Sequence, residues 1–283
     1  MNYPQRLQKV IAFIGEHLDE GLSLEQLSEI CCLSKFHFHR LFTAFTGLSL
    51  QQYIRWLRLK RAAHQLIVSK DESIVNIAFN AGFNSHEVFS RAFKQLCGLS
   101  PSQFRKTNDW HYWETSPYCL PKQGEINMKI EVKKFPQIKL AVMEHKGDPK
   151  LVGESVNKLI SWAKAQPIDL KPKPGEAFGI AYDDPKNTPP SEFRFDLGIK
   201  VPENFKLSDK VIEKFLPAGN YAVAIHQGSR DKIADTIYPM YREWLPNTDY
   251  QLGNFPCIFC YHNFDHEVAE TELLTECRIL LEE

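Results

Sequence analysis

Two arginines 51 residues apart, Arg40 and Arg91, occupy matching places in a repeated stretch. Residues 34–52 match residues 85–103 at Ser34/Ser85, Phe38/Phe89, Arg40/Arg91, Phe42/Phe93, Gly47/Gly98, Leu48/Leu99, Ser49/Ser100 and Gln52/Gln103. In the first copy Phe38, Leu41, Phe42 and Phe45 recur at i, i+3, i+4 and i+7, one buried face of a helix; Phe89, Ala92, Phe93 and Leu96 do so in the second. Each arginine falls on the opposite face. A guanidinium carried on a helix into the major groove can donate two hydrogen bonds to one guanine edge. Phe36 and Thr43 share the face of Arg40, with His39 beside it; Glu87 and Lys94 share that of Arg91, with Ser90 beside it. Glu87 can accept from cytosine, His39 can reach a base or a phosphate, and Phe36 can pack on a thymine methyl. A lone outward arginine is ordinarily just solvated. A matched pair on a duplicated unit points to double-stranded DNA.

The seven cysteines are the other reactive groups. Two residues separate Cys257 from Cys260, and His262 follows two further on. A structural metal site takes about four ligands, and no second cluster follows. These residues lie in an apolar, strand-like run, 255–261, so they are assigned to packing, with no metal and no cofactor. A methyl-accepting thiol enzyme would need a thiolate beside a base. The one Pro-Cys pair, Pro256-Cys257, is followed by Ile258 in that same run, and the chain is read as a non-enzyme. An odd cysteine count without framework spacing suits reduced thiols. No window approaches the ~18 apolar residues of a membrane span, and the first residues do not form a signal peptide, so the expected setting is the cytoplasm, with no membrane partner.

The elements that must carry the arginines read as two helix-turn-helix units. Ser23 caps a short helix with the stripe Leu24, Leu27 and Ile30, and residues 31–34 make its turn. Ser73 caps Ile74, Ile77 and Ala78; Gly82 ends that helix and Asn84-Ser85 starts the next. Leu27/Ile77 and Leu33/Phe83 match at a shift of 50, so the second turn is one residue longer. A long helix over 49–68 joins the units, with a buried stripe of Tyr53, Ile54, Leu57, Ala62 and Leu66. Arg55, Arg58, Lys60 and Arg61 stand around it, either on phosphates or solvated. A spacing of about 34 Å would set the two recognition helices in successive major grooves. Residues 1–110 carry 13 Lys+Arg against 9 Asp+Glu, and the remainder 21 against 26, so the two parts expect different partners.

The run Ser34-Lys35-Phe36-His37-Phe38-His39-Arg40-Leu41-Phe42, then Gly47, Tyr53-Ile54, Ile77-Ala78, Gly82-Phe83, Phe89, Arg91, Phe93-Lys94, Gly98, Ser100-Pro101 and Phe104-Arg105, resembles the DNA-binding domain of AraC/XylS-type regulators, nearest the MarA, SoxS and Rob subgroup. The resemblance covers residues 6–106. It implies base contacts from the outward positions of the third and sixth helices: Phe36, His39, Arg40, Glu87 and Arg91. His39 and Glu87 stand where that subgroup often has glutamine, which implies a different site sequence.

Residues 108–127 read as a linker between a domain at 1–107 and another at 128–283. The second domain is duplicated too. At a shift of 81, Pro136/Pro217, Ala141/Ala222, Val142/Val223, His145/His226 and Gly147/Gly228 match. Each half reads as a strand hairpin, a helix (151–163 or 233–245, each with a late tryptophan, Trp162 or Trp244) and two strands (177–182 with 193–201; 255–261 with 273–281). Tyr182 is aligned with Tyr261. The expected fold is thus an all-α double helix-turn-helix domain followed by an α+β domain of two β-β-α-β-β halves around one antiparallel sheet. A groove between the halves would hold a small molecule, with Trp162, Phe178, Tyr182, Tyr221, Trp244, Phe259 and Tyr261 as candidate lining. His145 and His226, each two residues before a glycine, are assigned structural roles.

Pro217-Ala218-Gly219-Asn220-Tyr221-Ala222-Val223, Gly228, Trp244-Leu245-Pro246, Tyr182-Asp183-Asp184-Pro185 and Arg194-Phe195-Asp196 resemble a gyrase-inhibitor-like (GyrI-like) effector-binding domain over about 128–282. In that family a buried glutamate often lies two residues before the strand tyrosine; here Phe259 stands there. The resemblance therefore implies a small, mostly apolar effector, with cation stacking on aromatics still open. Together the two resemblances imply an effector-controlled transcription regulator, an activator that contacts RNA polymerase. The alternatives are a second domain that binds a protein partner or hydrolyses a small electrophilic compound.

Overall fold

A computed structural model describes residues 2–107, 109–114, 128–166, 169–207 and 210–282. They fall into two compact units, one drawn from residues 1–32 and 45–121, the other from residues 33–44 and 122–283. Among the described residues no helix is long and apolar enough to cross a membrane.

The first unit is helical. It contains α1 (Tyr3–Glu16), α2 (Leu24–Ile30), α4 (Leu50–Val68), α5 (Ile74–Asn80), α6 (His86–Cys97), α7 (Pro101–Thr107) and α8 (His111–Glu114). Side-chain caps fix where its helices begin. Asn2, Ser23 and Ser49 each form a capping box with the glutamine three residues on, and Ser73 and Ser85 accept from Asn76 and Val88. Leu59, Ala62, Ala63, Leu66, Ile77, Ala78, Phe89, Phe93, Phe104 and Trp113 share one buried core, and Trp110 packs against it. The expected linker 108–127 lies mostly outside the described residues, and its described part supplies these tryptophans. On α4 the buried stripe is Leu50, Tyr53, Trp56, Leu59, Ala62, Ala63 and Leu66, whereas Ile54 and Leu57 are only half-buried. Trp56 turns the stripe, because the largest apolar side chain takes the core position. In the turn after α2 Cys32 adopts φ 52°, and Gly82, 50 residues later, adopts 76°. The left-handed turn is thus present in both copies, although only the second has the residue that takes it without steric cost.

The second unit holds α3 (Lys35–Thr46, grouped there up to Ala44) and an eight-stranded antiparallel sheet. Its elements are β1 (Ile130–Phe135), β2 (Ile138–Lys146), α9 (Val152–Lys164), β3 (Ala177–Ala181), β4 (Arg194–Lys200), β5 (Ile212–Leu216), β6 (Gly219–Gln227), α10 (Ala234–Pro239), β7 (Cys257–Tyr261) and β8 (Leu274–Leu280). The strand order is β1-β6-β8-β7-β3-β4-β2-β5. The expected hairpins do not form. β1 pairs with β6 of the other half, and β5 with β2, so the halves exchange their first strands. The exchange leaves the alternation of side chains intact, and for that reason alternation could not reveal it.

At the centre β3 pairs with β7, and Gly179 faces Phe259. The two halves therefore repeat there at a shift of 80. Ala181, not Tyr182, is the equivalent of Tyr261, and a one-residue slip moves a side chain to the other face. His145 meets Ser155 of α9 at 3.0 Å and the Asp148 carbonyl at 3.1 Å; His226 meets Thr236 of α10 and the Ser229 carbonyl, both at 2.9 Å. Both histidines thus tie a helix to the same face of the sheet.

Candidate nucleic-acid interface and ligand groove

In the first unit α6 is an amphipathic helix whose inner wall is Phe89, Ala92 and Phe93. Glu87, Arg91 and Lys94 are exposed, and Ser90 is half-buried against His86 (3.3 Å). Glu87 stands in the first turn, where its own backbone N–H and then the Ser85 hydroxyl hold its carboxyl below the ordinary range. Val88, 48% exposed on the same face, was missed from the sequence; a surface-facing apolar residue beside Arg91 suits a thymine methyl. Two of the four basic residues named on α4 are struts. Arg58 donates to the Leu18 carbonyl at 2.9 Å, and Arg61 pairs with Asp19 and donates to the Asn80 carbonyl at 3.1 Å.

In the second unit the equivalent face of α3 is covered. Arg40 and Thr43, expected to face outward, are each 6% exposed, and Phe36 and His39 are half-buried. The Arg40 Nη2 donates to the carbonyls of Ala181 (3.2 Å) and Asp183 (3.3 Å), while its Nε and the Thr43 hydroxyl are buried without a hydrogen-bond partner among the described residues. His37 is 1% exposed, with Nδ1 2.8 Å from the Tyr241 hydroxyl and Nε2 2.9 Å from the Gly253 carbonyl. Burial pushes His37 down to about 4, so the ring is neutral: Nε2–H donates to the carbonyl and Nδ1 accepts from the tyrosine. Asp184 faces Arg40 electrostatically. Against burial, which would raise its carboxyl, the Tyr238 hydroxyl and the Arg40 charge hold it below the ordinary range.

Alternation divides the aromatic candidates. Phe259 and Tyr261 lie on the sheet face of Ala181, Phe195, Cys257 and Cys277, which is also the face of α9 and α10. Phe178, with Tyr182 and Tyr221, belongs to a core on the opposite face, together with Ile180, Val223, Ile258 and Cys260. These three therefore cannot line one groove with Phe259. Tyr221 donates to the Pro217 carbonyl at 2.6 Å, and Tyr182 donates to Asp196 at 2.8 Å. Trp162 is buried against Phe205, and Trp244 stacks on Tyr250. Tyr261 lies under the Arg230 guanidinium, 4.7 Å from the ring centroid.

Burial pushes the Cys257 and Cys260 thiols up to about 11 and the Cys277 thiol well above its ordinary value, the reverse of what a nucleophilic cysteine requires. Cys260, His262 and Glu276 do bring one ligand atom each to within 4.8 Å of one another, because Glu276 faces Cys260 across β7 and β8. Arg278 already holds one oxygen of Glu276.

Residues 128–282 match the family of the GyrI-like small molecule binding domain, over more than half of the chain, and residues 27–107 match a helix-turn-helix domain. The probable transcriptional regulator YgiV of Escherichia coli K12 is 34% identical over 160 residues, covering 55% of this chain and 98% of YgiV. The HTH-type transcriptional activator RhaS of Escherichia fergusonii is 36% identical over 108 residues, 38% of this chain and 38% of RhaS. Among solved structures, the EcmrR C-terminal domain aligns with a TM-score of 0.46 at 18% identity, over 56% of this chain and 99% of that one. The chain belongs to the GyrI-like family and joins that domain to an AraC-type helix-turn-helix domain: it is a DNA-binding transcriptional regulator.

Proposed function

We propose that this regulator activates transcription by reading two half-sites, one with each helix-turn-helix unit, and that a small, mostly apolar effector bound by its GyrI-like domain controls it. The carrying observation is the outer face of α6: Arg91 exposed between Glu87 and Lys94, on a helix whose other side is locked into the core by Phe89 and Phe93. Arg91 reads guanine, Glu87 and Ser90 read or orient its neighbours, and Lys94 neutralises a phosphate. In the first unit Arg40 has the corresponding role, with Phe36, His39 and Thr43. An activator contacts RNA polymerase, and the similarity to RhaS, named a transcriptional activator, supports that direction. The effector site is assigned to the sheet face of Phe259 and Tyr261, where Phe259 puts an aromatic surface in place of a charge. Selection of genomic DNA fragments by the full chain, followed by base-resolved footprinting, tests the first part. Recovery of fragments without a shared sequence would overturn it. A melting screen of the full chain against lipophilic compounds tests the second, since a ligand that binds the folded state raises its stability.

A further inference from the structure

We infer that the sheet face of the GyrI-like domain is a docking site for the chain's own first recognition helix, α3, and that this docking withholds α3 from DNA. The inference rests on the reading of Arg40 as a base contact. The two recognition helices are copies, yet Arg91 is exposed and Arg40 is 6% exposed. Arg40 spends its guanidinium on the carbonyls of Ala181 and Asp183, beside Asp184. His37 inserts between the Tyr241 hydroxyl and the Gly253 carbonyl. A side chain held this way cannot also lie against a guanine edge, so docking and DNA contact by α3 exclude each other.

The sequences of the copies fit this division. Phe36, His37 and Thr43 of α3 stand where α6 has Glu87, Val88 and Lys94. The α6 face keeps two charges, as a solvated helix does; apart from Arg40, the α3 face offers groups that can enter a protein surface with little desolvation. Docking is also incompletely satisfied, since the Arg40 Nε and the Thr43 hydroxyl are buried without partners among the described residues. Unmade hydrogen bonds of this kind keep a contact reversible. Arg40 lies in electrostatic reach of Cys257 and Cys277, on the face of Phe259. A ligand filling that face therefore competes with α3, and its effect is to raise DNA affinity.

The test uses the full chain and two single variants, Tyr241→Phe and His37→Val, the second installing the residue found in α6. Hydrogen exchange of α3 amides is measured without DNA, and affinity is measured for a duplex from the selection above at fixed salt. If at most about a tenth of the wild-type chains have α3 free, releasing it fully tightens binding at least roughly 10-fold, with faster exchange in α3. Unchanged α3 exchange in both variants, or faster exchange without tighter binding, overturns the inference. Should a variant fail to fold, the wild type still decides: exchange at residues 238–241 and 253–255 must rise when the duplex binds, and no change there overturns the inference. If no chain binds any duplex, the DNA-reading assignment fails, and the exchange contrast still judges the docking.

Discussion

Lowering the pH should loosen α3, and the magnitude follows from His37. Free histidine titrates near 6.5, whereas the docked ring is held at about 4. The causes are geometric. The ring is wholly buried, and Arg40 adds a repulsive charge; the carbonyls of Gly253, which accepts from Nε2, and Phe255 oppose the shift only in part. A depressed pKa means that the undocked state binds the proton first. The docking contribution is therefore complete above pH 6.5 and is lost as pH falls towards 4. At pH 5 the loss is about 2 kcal/mol, roughly 30-fold in the docking equilibrium, and it saturates on the order of 3 kcal/mol below pH 4. Exchange of α3 amides, corrected for the intrinsic pH dependence of exchange, should accelerate accordingly between pH 7 and pH 5. His37→Gln keeps a neutral donor and acceptor but cannot titrate, so its corrected exchange should accelerate less, the slope that remains coming from His39, whose ring burial also holds below its ordinary value beside Asp184, Asp183 and Arg40. Parallel profiles for the two chains would refute the reasoning.

Three further outcomes follow from other contacts. Gly179→Ala places a Cβ against the Phe195 ring and 2.6 Å from the Tyr261 hydroxyl, at the centre of the sheet; overpacking there should cost about 1–3 kcal/mol, and an unchanged melting temperature would contradict it. Lys214 bonds Asp196 at 2.6 Å and Glu144 at 2.8 Å, and these partners hold its ammonium charged against the pull of burial. Lys214→Met takes from buried Asp196 its ammonium partner and leaves it the Tyr182 hydroxyl and the field of Arg194, so urea unfolding should show a loss of about 2–3 kcal/mol, with Asp196→Asn in the same chain restoring part of it. Arg91→Ala should weaken specific DNA binding by about 1–3 kcal/mol and relax one half-site, as read by footprinting; an equal loss at every position would show a phosphate contact instead.

Much of this architecture could be read directly from the residues, because it is local. The Ser23 and Ser73 caps set the starts of α2 and α5, and phenylalanines at helical spacing mark the inner walls of both recognition helices. The strands of the second unit fall within a residue or two of their expected ranges. What escaped depends on which distant segments meet. Exchange of β1 and β5 between halves preserves every alternation. Aligning Tyr182 with Tyr261 is wrong by one residue, and in a period-two element one residue is the difference between the face of Phe259 and the opposite core. The cover over Arg40 left only an indirect trace, the absence of charge at Phe36 and Thr43 where the second copy has Glu87 and Lys94.

The asymmetry that builds the α3 site arises within a domain that is otherwise twofold. Ser155 and Thr236, bound to His145 and His226, are 81 residues apart, as are Leu159 and Met240, both buried. Trp162 and Trp244 are 82 apart. The extra residue falls within Met240–Trp244, which runs as a π-helical turn directly after Pro239. A π turn absorbs one inserted residue without ending the helix, and it rotates the residues that follow. Tyr241 lies in this turn, fully buried, with its hydroxyl on His37. α9 runs as a regular helix to Lys164 and has no counterpart of the turn. One inserted residue therefore gives the second half a hydroxyl that the first half cannot offer, and α3 is bonded by the half that has it.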